Sequence, residues 1–393
     1  MNERPSNKVL ETLSFLTNEY KYLLYCLAFA SLFSCKKPYE PPAIKAENNF
    51  LVVEGVINTY PASETTVKLS HTRRLIDTVV SVPENSARVS IEDNNGASYF
   101  LTQTGAGIYK SEPLNLNASG SYRLKIITVN NHQYVSDFVP GKQNVVIDSL
   151  TWEKEKDVTI FVNTHDQQNN TRFYRWEYEE TWEYHPFFDS NLGYANGQIY
   201  YRDSSNQINQ CWSTFSSTDI LLASTRKLSE DVITHLPVAV VPARSEKISF
   251  KYSILVKQYA LTLEAFEYWQ ILKKNTEQLG TLFDAQPSQL TGNIHNVKDA
   301  GEPVIGFISA CSIQEKRIFI MHYEVAPWEG PDYNPAGYCD VFIIDPRNAG
   351  DYLNNNTTLA PAYYVSGGGL AISKVTCIDC RLHGGSPVKP GFW

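Results

Sequence analysis

From residue 49 to about residue 139, apolar and polar positions alternate in short runs separated by turn residues. Arg88-Val89-Ser90-Ile91-Glu92 sets Val89 and Ile91 on one face and polar groups on the other, the period of two expected of a half-buried strand. Asn95-Gly96 follows, a pair suited to a tight hairpin turn, and Tyr99-Phe100-Leu101 returns. Tyr122-Arg123-Leu124-Lys125-Ile126 alternates in the same way before Asn130-Asn131 turns the chain again. Short strands at this spacing predict an Ig-like β-sandwich over residues 49–140. Val139-Pro140-Gly141-Lys142 reads as the boundary.

Residues 141–393 read as a larger β-rich domain, so the fold class is mostly β. Strand patterns occur at Thr159–Val162, Ile248–Val256, Val304–Ile313, Arg317–Tyr323 and Val341–Ile344. One stretch has the other period. Over residues 262–279, Ala265, Phe266, Trp269, Leu272 and Leu279 fall near one helical face, and Lys273 and Glu277 sit one turn apart outside it. Thr262 stands at the N-cap position and Gly280 just past the end. One amphipathic helix packed on a sheet is predicted there. Residues 185–211 and 326–373 show no regular period, and loops of that length are functional or poorly ordered.

The N-terminal pattern differs. An uncharged apolar run from Leu23 to Phe33 follows Lys21. Its length suits a signal peptide and is short for a transmembrane helix. It ends in Leu32-Phe33-Ser34-Cys35, which resembles the lipobox of bacterial lipoproteins: an aliphatic residue three before the cysteine and a small one just before it. A peptidase needs the small residue to reach the scissile bond, and the Cys35 thiol receives diacylglycerol. Residues 1–34 are therefore expected to be a signal peptide, and residues 35–48 the lipidated cysteine and an extended Pro-rich tether. Each buried lipid CH₂ contributes about 0.8 kcal/mol to such an anchor.

The net charge of −8 argues against a nucleic-acid partner, which needs a basic face. A content of 24 Tyr and only 2 Met suits an extracytoplasmic β protein, in which disulfides are permissible. Cys311 shares a strand face with Ile305, Phe307, Ser309 and Ile313 and is expected to be buried and reduced. Cys211, Cys339, Cys377 and Cys380 are the disulfide candidates. Their three pairings are open, with at least one bond expected to involve Cys377 or Cys380.

Candidate chemistry is sparse. Cys377-Ile378-Asp379-Cys380 with His383 offers two thiolates and an imidazole, but no second Cys-x-x-Cys completes a zinc set. It also lacks the strand and helix that flank a thioredoxin-type site, which favours a structural disulfide. Glu177 to Glu183 invites comparison with the paired carboxylates of glycosidases. Yet Tyr174, Trp176 and Tyr178 alternate with Arg175, Glu177 and Glu179, as on a strand with one solvated face. His165-Asp166 and His322 stand alone, and Gly367-Gly368-Gly369 lacks the flanks of a phosphate loop. No catalytic residue, metal site or cofactor is expected. The loop aromatics Tyr194, Tyr200, Tyr201, Trp328 and Tyr333 are candidate contacts for a glycan or peptide ligand.

Several blocks of the second region resemble a known family. They are Tyr252 to Thr262, Leu272 to Glu277, Gly280 to Ser288, Gly292-Asn293-Ile294, Val304-Ile305-Gly306, and the ending Cys377-Ile378-Asp379-Cys380-Arg381 with Gly384-Gly385 and Lys389 to Trp393. They are similar to a Bacteroidota lipoprotein family catalogued as a domain of unknown function (four-two-four-nine). The resemblance implies an outer-membrane lipoprotein, often encoded beside TonB-dependent transporters, with no catalytic residues to carry over. Lys36 fits the surface-display signal of that phylum, whereas Lys37-Pro38 departs from its acidic part, so both membrane faces stay open. The leading expectation is a non-enzymatic binding or accessory lipoprotein working with a TonB-dependent transporter. The alternatives are a surface hydrolase acting on glycan or peptide, and a structural envelope protein.

Overall fold

The alternating N-terminal segment forms nine strands: β1 (Leu51–Asn58), β2 (Thr66–His71), β3 (Val82–Pro83), β4 (Arg88–Asp93), β5 (Ser98–Gly105), β6 (Ile108–Ser111), β7 (Ser121–Ile127), β8 (Gln133–Ser136) and β9 (Val139–Lys142). The period-two pattern sets what is buried. Leu51, Val53 and Ile57 of β1, Val89 and Ile91 of β4, and Tyr122, Leu124 and Ile126 of β7 all point into one core. The Asn95-Gly96 turn joins β4 to β5, with Gly96 at φ 94° and the Asp93 carboxylate accepting from the amides of Asn95 and Ala97. The computed structural model describes residues 49–72, 82–143, 145–277, 290–331 and 337–393. The expected signal peptide, Cys35, the tether and Tyr333 lie outside them. Residues 49–393 group as one compact unit.

The chain continues through β10 (Ile147–Lys154), β11 (Val158–Asp166), β12 (Phe173–Tyr184), the hairpin β13 (Leu192–Ala195) and β14 (Gln198–Tyr201), β15 (Cys211–Ser216), β16 (Leu221–Ser224), β17 (Asp231–Val241) and β18 (Lys251–Ala260). Helix α1 (Leu263–Glu277) follows, then β19 (Ile294–Asn296), β20 (Ser309–Cys311) and β21 (Gln314–Met321). The helix forms where its period predicts it. Thr262 Oγ1 accepts from the Ala265 amide, Ala265 and Phe266 are buried, and Lys273 pairs with Glu277 at 3.5 Å. Its expected end at Gly280 lies outside the described residues.

β19 and β20 do not stay with their sequence neighbours. β20 runs parallel to β1 on one side (Val56↔Ser309) and parallel to β9 on the other (Ala310↔Gly141), and β9 pairs with β7 (Tyr122↔Val139). The ladder β7-β4-β5-β6-β2-β1-β20-β9 thus returns to β7 as a partial eight-strand barrel. This corrects the Ig-like sandwich expected for residues 49–140. Val139-Pro140-Gly141-Lys142, expected as a boundary, is the strand that closes the ladder, because its partner β20 arrives from 169 residues later in the chain. The expected strand Val304–Ile313 shortens to β20 plus one bridge, Val52↔Ile305.

Two of the blocks that carry the family resemblance seat this return. A Cβ on Gly292 would stand 1.8 Å from the Gly306 carbonyl oxygen, and one on Gly306, at φ 146°, 2.3 Å from that of Val53. Only glycine permits backbones that close. Asn293 then bonds both the amide and the carbonyl of Ile308, at 2.8 and 2.9 Å.

A two-layer sandwich does occur, further along the chain. The β10-β11-β17 sheet and the β15-β12-β18-β21 sheet, with β16 beside β12, share one core that includes Ile160, Val162, Trp176, Ile254 and Ile320. A C-terminal layer is made of β22 (Phe342–Ile344), the short helix α2 (Ala349–Leu353), β23 (Leu359–Tyr364) and β24 (Leu370–Lys374). Gly367-Gly368-Gly369 is the β23–β24 turn, with Gly367 and Gly368 at positive φ. The pairings left open by the sequence resolve as Cys211–Cys380 and Cys339–Cys377, while Cys311 is free and buried.

Candidate functional site

Strand β12 positions the central groups by simple alternation. Tyr174 and Trp176 point into the sandwich core, which sends Arg175 and Glu177 to the opposite face. Register places Arg175 opposite Tyr259 and Glu177 opposite Lys257 on β18, and Lys257 opposite Glu315 on β21. Helix α1 lays Trp269 over the same spot. The facing wall comes from β1, β2 and residues 305–307 of the returning segment. Between these elements is a cavity of about 750 Å³.

At its centre the Arg175 guanidinium lies between two rings, 4.3 Å from the Tyr259 centroid and 4.1 Å from that of Trp269. Its side chain is only 7% exposed. Nη1 donates to the Glu177 carboxylate, which also accepts from the Tyr259 hydroxyl at 2.7 Å. Nε is buried and has no hydrogen-bond partner among the described residues. Burial drives the Tyr259 hydroxyl far above the usual phenol range, with the Glu177 charge adding to it. Burial likewise pushes the Tyr268 hydroxyl up to about 12. Both are neutral donors at pH 7. Lys68–Glu54 at 2.9 Å, Lys110–Glu64 at 3.5 Å and Lys257–Glu315 at 3.4 Å complete the polar wall.

Such a site can hold a ligand by stacking and hydrogen bonds. Cys311, packed in the same cluster as Tyr259, is not a nucleophile, because burial pushes its thiol up to about 12 and keeps it protonated. Among the described residues no three His, Cys, Asp or Glu side chains group as a metal site. His383 Nε2 instead meets the Thr376 carbonyl at 2.7 Å, and Cys377 and Cys380 bond to different partners rather than to each other. His165 pairs with Asp148, and Asp166 caps a turn through the amides of Gln168, Asn170 and Thr171.

The expected aromatic contacts do not converge. Tyr194 donates to Asn354, and Tyr200 and Tyr201 are exposed on the β13–β14 hairpin, away from the cavity lining. Trp328 is not on an open surface: its ring is buried in the sandwich core and its Nε1 donates to the Ser245 carbonyl. Sequence reasoning missed Arg175, Tyr259 and Trp269 as a unit. The available signal was a lone cation between two inward aromatics on one strand, but its stacking partners lie 84 and 94 residues away.

A search of curated proteins finds no match. Among solved structures, 53% of the chain is similar to a DUF4785 family protein from Legionella pneumophila, at 9% identity, 52% coverage of that chain and TM-score 0.18. A second, over 56% of this chain, is the native conformation of alpha-2-macroglobulin from E. coli, at 12% identity, 13% coverage of that chain and TM-score 0.18. A third, over 84%, is the BSP domain of a biofilm associated protein, at 8% identity, 77% coverage and TM-score 0.16. The chain thus spans about half the length of the first and a small part of the second. Scores this low carry no argument about fold or activity. The model of the family described as Domain of unknown function (DUF4249) matches residues 36–317, and the chain belongs to that family.

Proposed function

We propose that the chain is a binding or accessory protein, held to the outer membrane by lipid on Cys35, that works with a TonB-dependent transporter and does not transform its ligand. The cavity around Arg175 carries the reading. It has ligand-sized volume, aromatic walls and charges tied up in pairs. Its described residues offer stacking and hydrogen bonding and include no nucleophile activated by a base. The apolar run ending at Cys35 supports the anchor, and the family resemblance supports the membrane and the transporter.

The test uses the full tagged chain in its native envelope beside a Cys35→Ala variant. The native chain is expected to incorporate labelled fatty acid and to cross-link to a TonB-dependent transporter, and the variant to do neither. Panels of glycosidase, peptidase and esterase substrates are expected to show no turnover. Labelling of the variant would remove the anchor. Hydrolysis that one Asp, Glu, His or Ser substitution abolishes would put a surface hydrolase in place of the binding reading.

A further inference from the structure

The charges around the cavity select among ligands. Four cations line it, Lys68, Lys110, Arg175 and Lys257, and so do four carboxylates, Glu54, Glu64, Glu177 and Glu315. Each cation is paired with one of these carboxylates. Among the described residues the wall therefore has no surplus charge. Three of the pairs are a third or more exposed and stay hydrated, so an entering ion meets no unpaired opposite charge to hold it. A neutral hydroxyl loses less hydration, and it can donate to a carboxylate and accept from the neighbouring ammonium at once.

Arg175 fixes the aromatic side of the cavity. Its guanidinium is fixed by two rings and one carboxylate, and its Nε, without a hydrogen-bond partner among the described residues, is closed off from the cavity. The guanidinium thereby holds Tyr259 and Trp269 in place as one side of the cavity. Trp269 and Phe307, both only partly buried, supply apolar ring surface beside these polar groups. Flat C–H faces rimmed by hydroxyls match that mixture.

We propose that this cavity binds a neutral saccharide, with sugar hydroxyls bonded to the paired charges of its wall and a ring face against Trp269 and Phe307. The proposal rests on the binding reading above and names its ligand class. Uncharged peptide is the rival that the test must separate.

The full chain, purified in detergent, is titrated with neutral oligosaccharides of hexoses, pentoses and N-acetylhexosamines, with oligogalacturonate, and with end-blocked oligoglycine. Calorimetry and tryptophan fluorescence read the binding. Saturable binding of a neutral oligosaccharide is expected, weakened about tenfold or more by Trp269→Ala and by Arg175→Lys. Arg175 is buried, so the exposed variant Glu54→Gln provides a second reading that does not depend on the core. It frees Lys68 and is expected to shift preference toward oligogalacturonate by about threefold. Binding of only oligogalacturonate or only peptide would overturn the saccharide assignment and leave the binding reading intact. Failure of every probe would also overturn the assignment, while the transporter cross-link independently decides the binding reading.

Discussion

The barrel and the C-terminal layer are both built of short strands, yet they are held by different means. The barrel encloses one continuous core running from Leu51 through Leu124 to Ile308. The C-terminal layer has only small separate clusters, one around Leu370 and Ile372, one around Ala371 and Ile378, and one of Tyr184 with Cys211 and Cys380. Its two disulfides, Cys211–Cys380 and Cys339–Cys377, join these pieces to each other and to β15. Little apolar area per residue leaves little burial energy to oppose chain entropy, and covalent links reduce that entropy in the unfolded state. The barrel carries none of these bonds, and its free Cys311 is packing material.

The largest expected effect breaks the barrel and spares the layer. Gly306→Ala puts a Cβ about where the Val53 carbonyl stands, at a φ that L-residues rarely adopt. It should cost about 4 kcal/mol, with β1 and β20 losing hydrogen-exchange protection before the C-terminal layer does. Protection of β1 and β20 that outlasts that of the C-terminal layer would mean the seam is not under this constraint.

Removing Cys211–Cys380 by paired serine substitutions should act the other way. Residues 338–393 are expected to lose about 2–4 kcal/mol of local stability while the barrel keeps its protection. Removal of Cys339–Cys377, which spans 38 residues rather than 169, should cost about 1 kcal/mol less in the chain-entropy account. A barrel that melts together with the layer would erase the distinction.

The smallest effect concerns how the layer is fastened to the sandwich. Trp393 lies against Phe319, Trp212 and Lys251, and its indole points to Glu183 at 3.4 Å. The bond from His185 holds the Glu183 carboxyl below its ordinary value, helped by Gln210 and opposed by burial. A lowered folded pKa contributes stability that is present above the unfolded value near 4.5 and is lost as pH falls through the folded one. Acid should therefore release Trp393, read as a fluorescence change that Trp393→Phe removes. Glu183→Gln should flatten its pH dependence. An unchanged acid transition in that variant would assign it to other carboxylates.

Parts of this arrangement are legible in the sequence because the forces that make them are local. The alternation in β4 and β7, the Asn95-Gly96 turn, and the Thr262 cap with the Lys273–Glu277 pair each depend on residues two to four apart. Cys311 is free and buried as expected, but all three residues of β20 are buried, so alternation did not single it out. The pairings of the four other cysteines do not follow from a local pattern, since Cys377 and Cys380 are three apart yet bond in different directions. Gly385 beside Cys211 shows why: a Cβ there would lie 2.7 Å from the Cys211 Cβ, so the approach of two distant segments sets the bond.

By itself the sequence determined the strand-rich composition and the amphipathic helix. Only the tertiary structure decided that residues 292–311 return to close a barrel, that the sandwich lies after residue 147 rather than before residue 140, and that Arg175 meets Tyr259 and Trp269 around a cavity. Periodicity fixes which face of an element is buried, whereas its partner is chosen by the burial that the whole chain can achieve, and contacts between residues many tens of positions apart leave no local pattern to read.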